Sequence, residues 1–257
     1  MRIGIVTPYD LTAPGGVNSY AFTTAAWLRR QGHDAVVIGP TSRPGSEPAG
    51  SVLIGRARRV PIGGTVAPIA LGPSVGGALR AHLREANYDV IHVHEPFMPL
   101  LSLQTIRQAD APIAATFHGA ERAGRWAYRT LRPIVGRWAA RIDARTAVSD
   151  AAVATARPFA DEAEIIPCPI DVAQFASPTE RPPEINESAR TILFVGRAEP
   201  REGLRTLIAA YGELRSAHPA LELVVIGPRD RAMRGLERSV QQRGWADVRF
   251  LGARPHD

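Results

Sequence analysis

The 257-residue chain contains no lysine, and all 31 of its basic residues are arginine. That excludes a lysine Schiff base, a Walker A phosphate loop and a kinase-type lysine. A single cysteine, Cys168, excludes an internal disulfide framework and any Cys-x-x-Cys centre. No apolar run approaches the ~20 residues that span a bilayer. The opening Met-Arg-Ile-Gly-Ile-Val reads as a strand rather than a signal peptide, so a cytoplasmic location is expected.

What is present suits a folded protein. Apolar residues make up 45% and charged residues 22%, enough for a core and against global disorder. The net charge of +6 permits attraction to acidic partners, and nothing in it specifies nucleic acid. Short apolar runs alternate with longer helical stretches, the pattern of an α/β fold with parallel sheets. Arg2–Pro8 is a buried-strand run, followed by the turn Pro14-Gly15-Gly16. Val17, Tyr20, Ala21, Thr24, Ala25 and Leu28 then mark one helix face, with Gly32 at the helix C′ position. Ala35–Ile38 is the next strand, closed by Gly39-Pro40, and residues 41–50 read as loop. Further strands are predicted at Tyr88–Val93, Ile113–Phe117, Thr146–Ser149 and Glu164–Pro167.

After a polar, proline-bearing stretch the pattern restarts. Ile192–Gly196 reads as a strand, Leu204–Leu214 as a helix, and Val224-Val225-Ile226-Gly227-Pro228 repeats Val36-Val37-Ile38-Gly39-Pro40. Ile3 and Val36 lie 33 positions apart, and Ile192 and Val224 lie 32 apart. The repeat predicts two Rossmann-like units: 1–176, a linker over 177–189, and 190–257. The second is shorter than the ~100–150 residues of a typical domain, so the chain is expected to be a fragment cut inside it.

Four features can carry chemistry. Gly15 and Gly16 let a ligand approach the backbone, and the following helix N-terminus suits a phosphate. The alternative is a plain tight turn. It is not the G-x-G-x-x-G fingerprint, which weakens a nicotinamide reading. Gly196–Gly203 is the equivalent turn in the second unit. There Arg197 and Arg201 either face a diphosphate or pair with Glu199 and Glu202. His92 and His94 alternate along a strand, Glu95 follows, and His118 ends the next strand. Three histidines raise a zinc hydrolase as a lesser alternative, but no carboxylates with ligand spacing accompany them, so no metal is expected. His118 is the best candidate to touch a substrate. Finally, arginines at 122, 125, 129, 132, 137, 141 and 145 interleave with Trp126, Leu131, Val135, Trp138 and Ile142. That pattern is either a basic helix facing an anionic membrane or a core helix with an arginine-rich outer face, with Pro133 expected to split it in two. Cys168, between Pro167 and Pro169, reads as a buried structural thiol.

Together the segments MRIGIVTPYD, PGGVNSY, YDVIHVHEP, ATFHG, TAVSDAA, IDVAQF, TILFVGRAEPREG, VVIGP and FLG occur in an order that resembles glycosyltransferase family 4, of GT-B architecture, across almost the whole chain. Within it the look is nearest to actinobacterial phosphatidyl-myo-inositol mannosyltransferases. The resemblance implies a retaining transfer of a sugar, mannose from GDP-mannose, to a lipid or glycan acceptor such as phosphatidyl-myo-inositol. It implies two domains facing a cleft, no cofactor beyond the nucleotide-sugar, and peripheral contact with the inner face of the plasma membrane. Carried over by motif, Gly15 and Gly16 contact the donor sugar and diphosphate, His118 the transferred sugar, and Arg197 the departing diphosphate. Tyr9 and Thr65 lie on the acceptor side.

The chain departs from that pattern in three places. The family's diphosphate lysine is replaced by Glu202, with Arg201 adjacent as a substitute. The family's Glu-x7-Glu segment is absent. The inositol-phosphate segment reads Gly63-Gly64-Thr65-Val66-Ala67-Pro68, with Pro68 at its arginine position, and the basic helix after it keeps only Arg80 and Arg84. These departures keep open a truncated or degenerate homologue that binds nucleotide-sugar without catalysis.

Overall fold

A computed structural model of the chain describes residues 1–62, 65–119, 122–160, 162–176, 183–186 and 188–254. Gly63-Gly64 and much of the expected linker lie outside the described residues. The chain divides into two compact units, Met1–Phe175 and Ala176–Asp257.

The first unit begins β1 (Arg2–Val6), α1 (Gly16–Arg30) and β2 (Asp34–Thr41). Next come β3 (Ser51–Ile62), β4 (Thr65–Leu71), α2 (Val75–Ala86), β5 (Val90–His94), α3 (Leu101–Gln108) and β6 (Ile113–Phe117). It closes with α4 (Arg122–Ala139), β7 (Ala144–Ala147), α5 (Asp150–Ala160), β8 (Glu164–Ile165) and α6 (Val172–Ala176). The strands form one sheet in the order β4-β3-β2-β1-β5-β6-β7-β8. Central strands are largely apolar because both faces are covered. Ile3, Ile5, Ala35 and Val37 pack with Ala21 and Ala25 of α1, while Val6, Ile38, Ile91 and Val93 face Leu79, Leu101 and Ile106. Gly32, at φ 83°, follows the end of α1 as its position predicted.

Four expectations need correction. The hairpin β3–β4 was not foreseen, and it makes the sheet mixed, because β3 pairs β4 antiparallel. Two residues separate Ile62 from Thr65, far fewer than a parallel crossover needs. Strand β2 continues through Gly39-Pro40 to Thr41; Pro40 is tolerated where the β2–β3 register shifts between Gly39 and Thr41. Helix α4 runs unbroken through Pro133, since an internal proline removes one backbone bond and bends a helix more readily than it ends one. Cys168 is exposed, because β8 is a two-residue edge strand and the Pro-Cys-Pro segment leaves the sheet along the surface.

The second unit comprises β9 (Arg190–Val195), a 3-10 turn (Pro200–Glu202), α7 (Leu204–Leu214), β10 (Leu221–Ile226), α8 (Arg231–Gln242) and β11 (Val248–Gly252). Its parallel sheet is ordered β11-β10-β9. Leu204, Ile208, Tyr211, Leu223, Val225, Met233 and Val240 form its core. Asp230 caps α8 by accepting from the Met233 amide at 2.8 Å. Asp247 accepts from the Tyr211 hydroxyl at 2.6 Å and from both Nε and Nη2 of Arg215.

The repeated Val-Val-Ile-Gly-Pro has a packing cause in both units. A Cβ on Gly39 would lie 2.6 Å from Leu11 Cδ2 and 3.2 Å from the Thr7 carbonyl oxygen. On Gly227 it would lie 1.9 Å from the Gly196 carbonyl oxygen.

Candidate functional site

In the first unit the chain runs outward from β1 through β2 to β3, then returns to β5 and proceeds through β6 the other way. The strand order therefore reverses between β1 and β5. Parallel sheets bind ligands beyond the strand C-termini at such a reversal. The loop after β1, His94-Glu95 at the end of β5 and His118-Gly119 after β6 all fall there.

The β1–α1 loop is held from within. Asn18, buried on α1, accepts from Thr7 Oγ1 at 2.9 Å and donates to the carbonyls of Asp10 (2.7 Å) and Ala13 (3.1 Å). Asp10 accepts from the amide and hydroxyl of both Thr12 and Ser42. Burial pushes the Asp10 carboxyl up, but the Ser42 and Thr12 hydrogen bonds outweigh it and leave it below the usual range. Tyr9 bridges Ile69 of β4, and the Asp10 amide donates to the Pro68 carbonyl at 2.8 Å. Tyr9 is thus beside the strand that Thr65 opens, although the Thr65 side chain is outside the described set.

Gly15 and Gly16 end this loop, and Gly16 starts α1. A Cβ on either would meet nothing within 4 Å. Gly15 is extended, at φ 178° and ψ 146°, a conformation any residue adopts. Neither packing nor backbone geometry demands glycine here, in contrast to Gly39.

Three imidazoles cluster at the ends of β5 and β6. His94 Nδ1 is 2.9 Å from His118 Nε2, and His92 Nε2 is 2.6 Å from Thr116 Oγ1. The His92 and His94 ring centroids are 4.4 Å apart, as their alternation on one strand face requires. Tyr20 of α1 stands edge-on to His94 at 5.0 Å and to His118 at 5.4 Å. Burial, with a neighbouring imidazole, lowers His118 to about 4. Burial lowers His92 to about 4, and burial with the neighbouring imidazoles holds His94 well below the usual histidine range. All three are neutral near pH 7. Glu95, buried and at φ 47°, accepts from the His118 amide at 3.1 Å. That left-handed conformation costs on the order of 1–3 kcal/mol in a non-glycine residue. Among the described residues no group of three or more His, Cys, Asp or Glu is arranged to hold a metal; His92 Nε2 is engaged with Thr116 and His94 Nδ1 with His118 Nε2.

In the second unit the turn after β9 is charged. Arg197 Nη1 lies 2.8 Å from Glu199 and its Nε 3.2 Å from Glu202. Its backbone amide donates to Glu202 at 2.7 Å. Arg201 Nε donates to Glu199 at 3.0 Å. Of the two sequence readings, the arginines are paired with glutamates in this structure. Arg197, Arg201 and Glu202 are nevertheless brought together in one turn, with Gly203 left-handed at φ 77°.

On α4, Val135 and Ala139 face the core while Arg129, Arg132 and Arg137 are exposed. Arg141 and Arg145 are pinned to main-chain carbonyls of Arg107, Ala109 and Ala139. Sequence reasoning missed Asn18, Tyr20 and Thr116. Only Asn18 left a signal, as a polar residue next to the apolar stripe of α1.

Two Rossmann-like units in series, with their turns at corresponding β-α junctions, define a GT-B glycosyltransferase architecture. Residues 14–174 match the profile of Glycosyltransferase Family 4, and residues 177–257 match that of Glycosyl transferases group 1. The chain belongs to glycosyltransferase family 4. It is 34% identical over 257 residues to a phosphatidyl-myo-inositol mannosyltransferase of Mycolicibacterium smegmatis, covering 98% of this chain and 64% of that protein. To the protein of the same name from Propionibacterium freudenreichii it is 36% identical over 273 residues, covering 98% and 65%. The chain thus spans just under two thirds of these relatives. In structure it is similar to sucrose-phosphate synthase from Thermosynechococcus elongatus (TM-score 0.67, 19% identity, 99% of this chain and 71% of that one). Anabaena HepE, solved with UDP and glucose, gives TM-score 0.67 at 17% identity, covering 99% and 70%.

Proposed function

We propose that the chain belongs to a retaining mannosyltransferase that moves mannose from GDP-mannose to phosphatidyl-myo-inositol. The observation that carries this reading is the pair Gly15-Gly16, glycines that the fold does not need. They open a helix N-terminus at the sheet's reversal point, close to a buried neutral imidazole cluster. Free N–H groups there suit a diphosphate, and small residues admit it. His118 hydrogen-bonds the transferred sugar. Arg197 and Arg201 meet the charge that builds on the diphosphate as an oxocarbenium-like sugar separates from it. Fixed donors of this kind are worth ~2.7–4 kcal/mol each. Tyr9 and the β4 strand beginning at Thr65 face the acceptor. The names of the mannosyltransferase relatives favour mannose and the inositol lipid.

Thermal unfolding and radiolabelled mannose transfer test it. Millimolar GDP-mannose should raise the melting temperature more than UDP-glucose, by mass action on the folded state. A melting temperature unmoved by any nucleotide diphosphate or nucleotide-sugar would end the proposal.

A second reading, binding without turnover, is favoured by Glu202. Its carboxylate already accepts from the Arg197 amide and guanidinium, the groups a diphosphate needs. Cytoplasmic placement and peripheral membrane contact belong to the same proposal. The membrane contact rests on the exposed arginines of α4 together with Ile134, 65% exposed. No described helix is long and apolar enough to cross a membrane. Sedimentation with anionic vesicles should weaken as salt rises. Equal binding to neutral vesicles would remove the electrostatic contact.

A further inference from the structure

We infer that His94 is a positioning residue that fixes the tautomer of His118, so that His118 presents Nδ1–H outward as a hydrogen-bond donor. The inference rests on the proposed function only for the identity of what His118 meets. The tautomer itself follows from the geometry.

His94 Nδ1 and His118 Nε2 lie 2.9 Å apart, and both rings are neutral near pH 7. A hydrogen bond between two neutral imidazoles holds one proton, so one ring must donate and the other accept. His94 is fully buried and its other nitrogen, Nε2, has no partner. If His118 donated, His94 would carry its own proton on that buried Nε2 as an orphaned donor. If His94 donates from Nδ1, Nε2 is left as an unpaired acceptor instead. Buried orphan N–H groups are rarer than under-satisfied acceptors. The second arrangement therefore prevails.

The consequence passes to His118. Accepting at Nε2 puts its single proton on Nδ1. That nitrogen has no hydrogen bond within the described protein, and the ring is only partly buried. The backbone of the same residue is anchored by Glu95, through the 3.1 Å bond from the His118 amide. His118 therefore offers a donor to an oxygen of the bound group and cannot act there as a base. A sugar hydroxyl or ring oxygen fits such a donor.

Long-range proton–nitrogen NMR of the full 257-residue chain labelled on histidine nitrogen reads the tautomer directly. His118 signals are assigned by loss in His118→Gln. The expected pattern is a protonated Nδ1 and an unprotonated Nε2 for His118, and the same pair for His94. In His94→Leu the His118 Nε2 signal should move toward the protonated range, and in His94→Asn, whose amide nitrogen takes the Nδ1 place, it should stay. An Nε2-protonated His118 in the unmodified chain overturns the inference, even if neither variant folds. Adding GDP-mannose to the same sample separates the two claims. A correct tautomer with no ligand-induced shift leaves the positioning intact and removes the proposed function. A ligand-induced shift with the opposite tautomer does the reverse.

Discussion

The two units use a similar β-α turn in opposite electrostatic states. In the first, Gly15 and Gly16 border open space, the Asp10 carboxylate of the same loop is taken up by Thr12 and Ser42, and the nearby imidazoles are held neutral by burial. In the second, the turn carries two arginines and two glutamates that neutralise each other at 2.8–3.2 Å. The first turn opens its helix with no side-chain cap at Gly15. The other holds its own anion, Glu202.

The largest effect concerns glycines that the fold requires. Gly227→Ala would place a methyl 1.9 Å from the Gly196 carbonyl, and backbone must move to relieve it. Loss of about 3 kcal/mol or more is expected, in the range of overpacked cores. A melting temperature of Gly227→Ala within two or three degrees of the parent would show that this junction is loose.

Acid separates the units next. His92 and His118 titrate at about 4 in the folded unit, and burial also holds His94 well below the usual histidine range, against ~6.5 when unfolded. Between those values the unfolded chain binds protons that the folded unit refuses. The first unit therefore keeps this stability above pH ~6.5 and loses it as pH falls toward 4, at ~1.4 kcal/mol per pH unit for each proton. Among the described residues the second unit holds one histidine, His218, and it is exposed rather than buried in a cluster. Burial raises Asp247, but hydrogen bonds from Arg215 and Tyr211 outweigh it and leave it lowered, so its contribution fades only in stronger acid, below the ordinary aspartate value of about 3.9. Pulse proteolysis at pH 7 and pH 5 should show cleavage of the first unit rising first. Equal rises in both would mean the histidines are not what fails.

Glu202 is the direct probe of the occupied turn. Glu202→Gln removes the internal anion, and Glu202→Lys also restores a cation. A charge-assisted hydrogen bond is worth ~1.5–3 kcal/mol, so GDP affinity should rise about tenfold or more, most for lysine and most at low salt. Calorimetric titration decides. Unchanged affinity in both variants would mean that the second turn does not meet the diphosphate.

Most of the fold was legible because its strands are buried on both faces and its helices on one, which writes distinct periods into the chain. Ile113–Phe117 and Leu204–Leu214 begin and end where the periodicity placed them. The β3–β4 hairpin was not legible. Arg56, Arg58 and Arg59 interrupt the apolar run of β3, which lies one strand in from the β4 edge of the sheet. Cys168 was read as a buried thiol, yet it is exposed, as are Ile165, Ile166 and Ile170 around it. At the site, period two put His92 and His94 on one face. The ties to Tyr20, Thr116 and Glu95 come from sheet register and helix placement, such as His94 opposite Thr116, which no local pattern encodes.

The smallest expected change in stability is also the sharpest test of the open turn. Gly16 is the first residue of α1, and an added Cβ there has no neighbour within 4 Å. Alanine is the better helix former, so Gly16→Ala should change folding free energy by no more than about 0.5 kcal/mol, and in the stabilising direction. The same methyl projects into the space assigned to the donor. If a sugar diphosphate lies against those amides, GDP-mannose affinity should drop about tenfold, a cost of ~1.4 kcal/mol from one misplaced group. Melting temperature and titration measured side by side distinguish the causes. Intact folding with weakened binding means the glycine serves the ligand. Intact folding with intact binding means that Pro14-Gly15-Gly16 is a turn and nothing more. The contrast between the units would then rest on Glu202 alone.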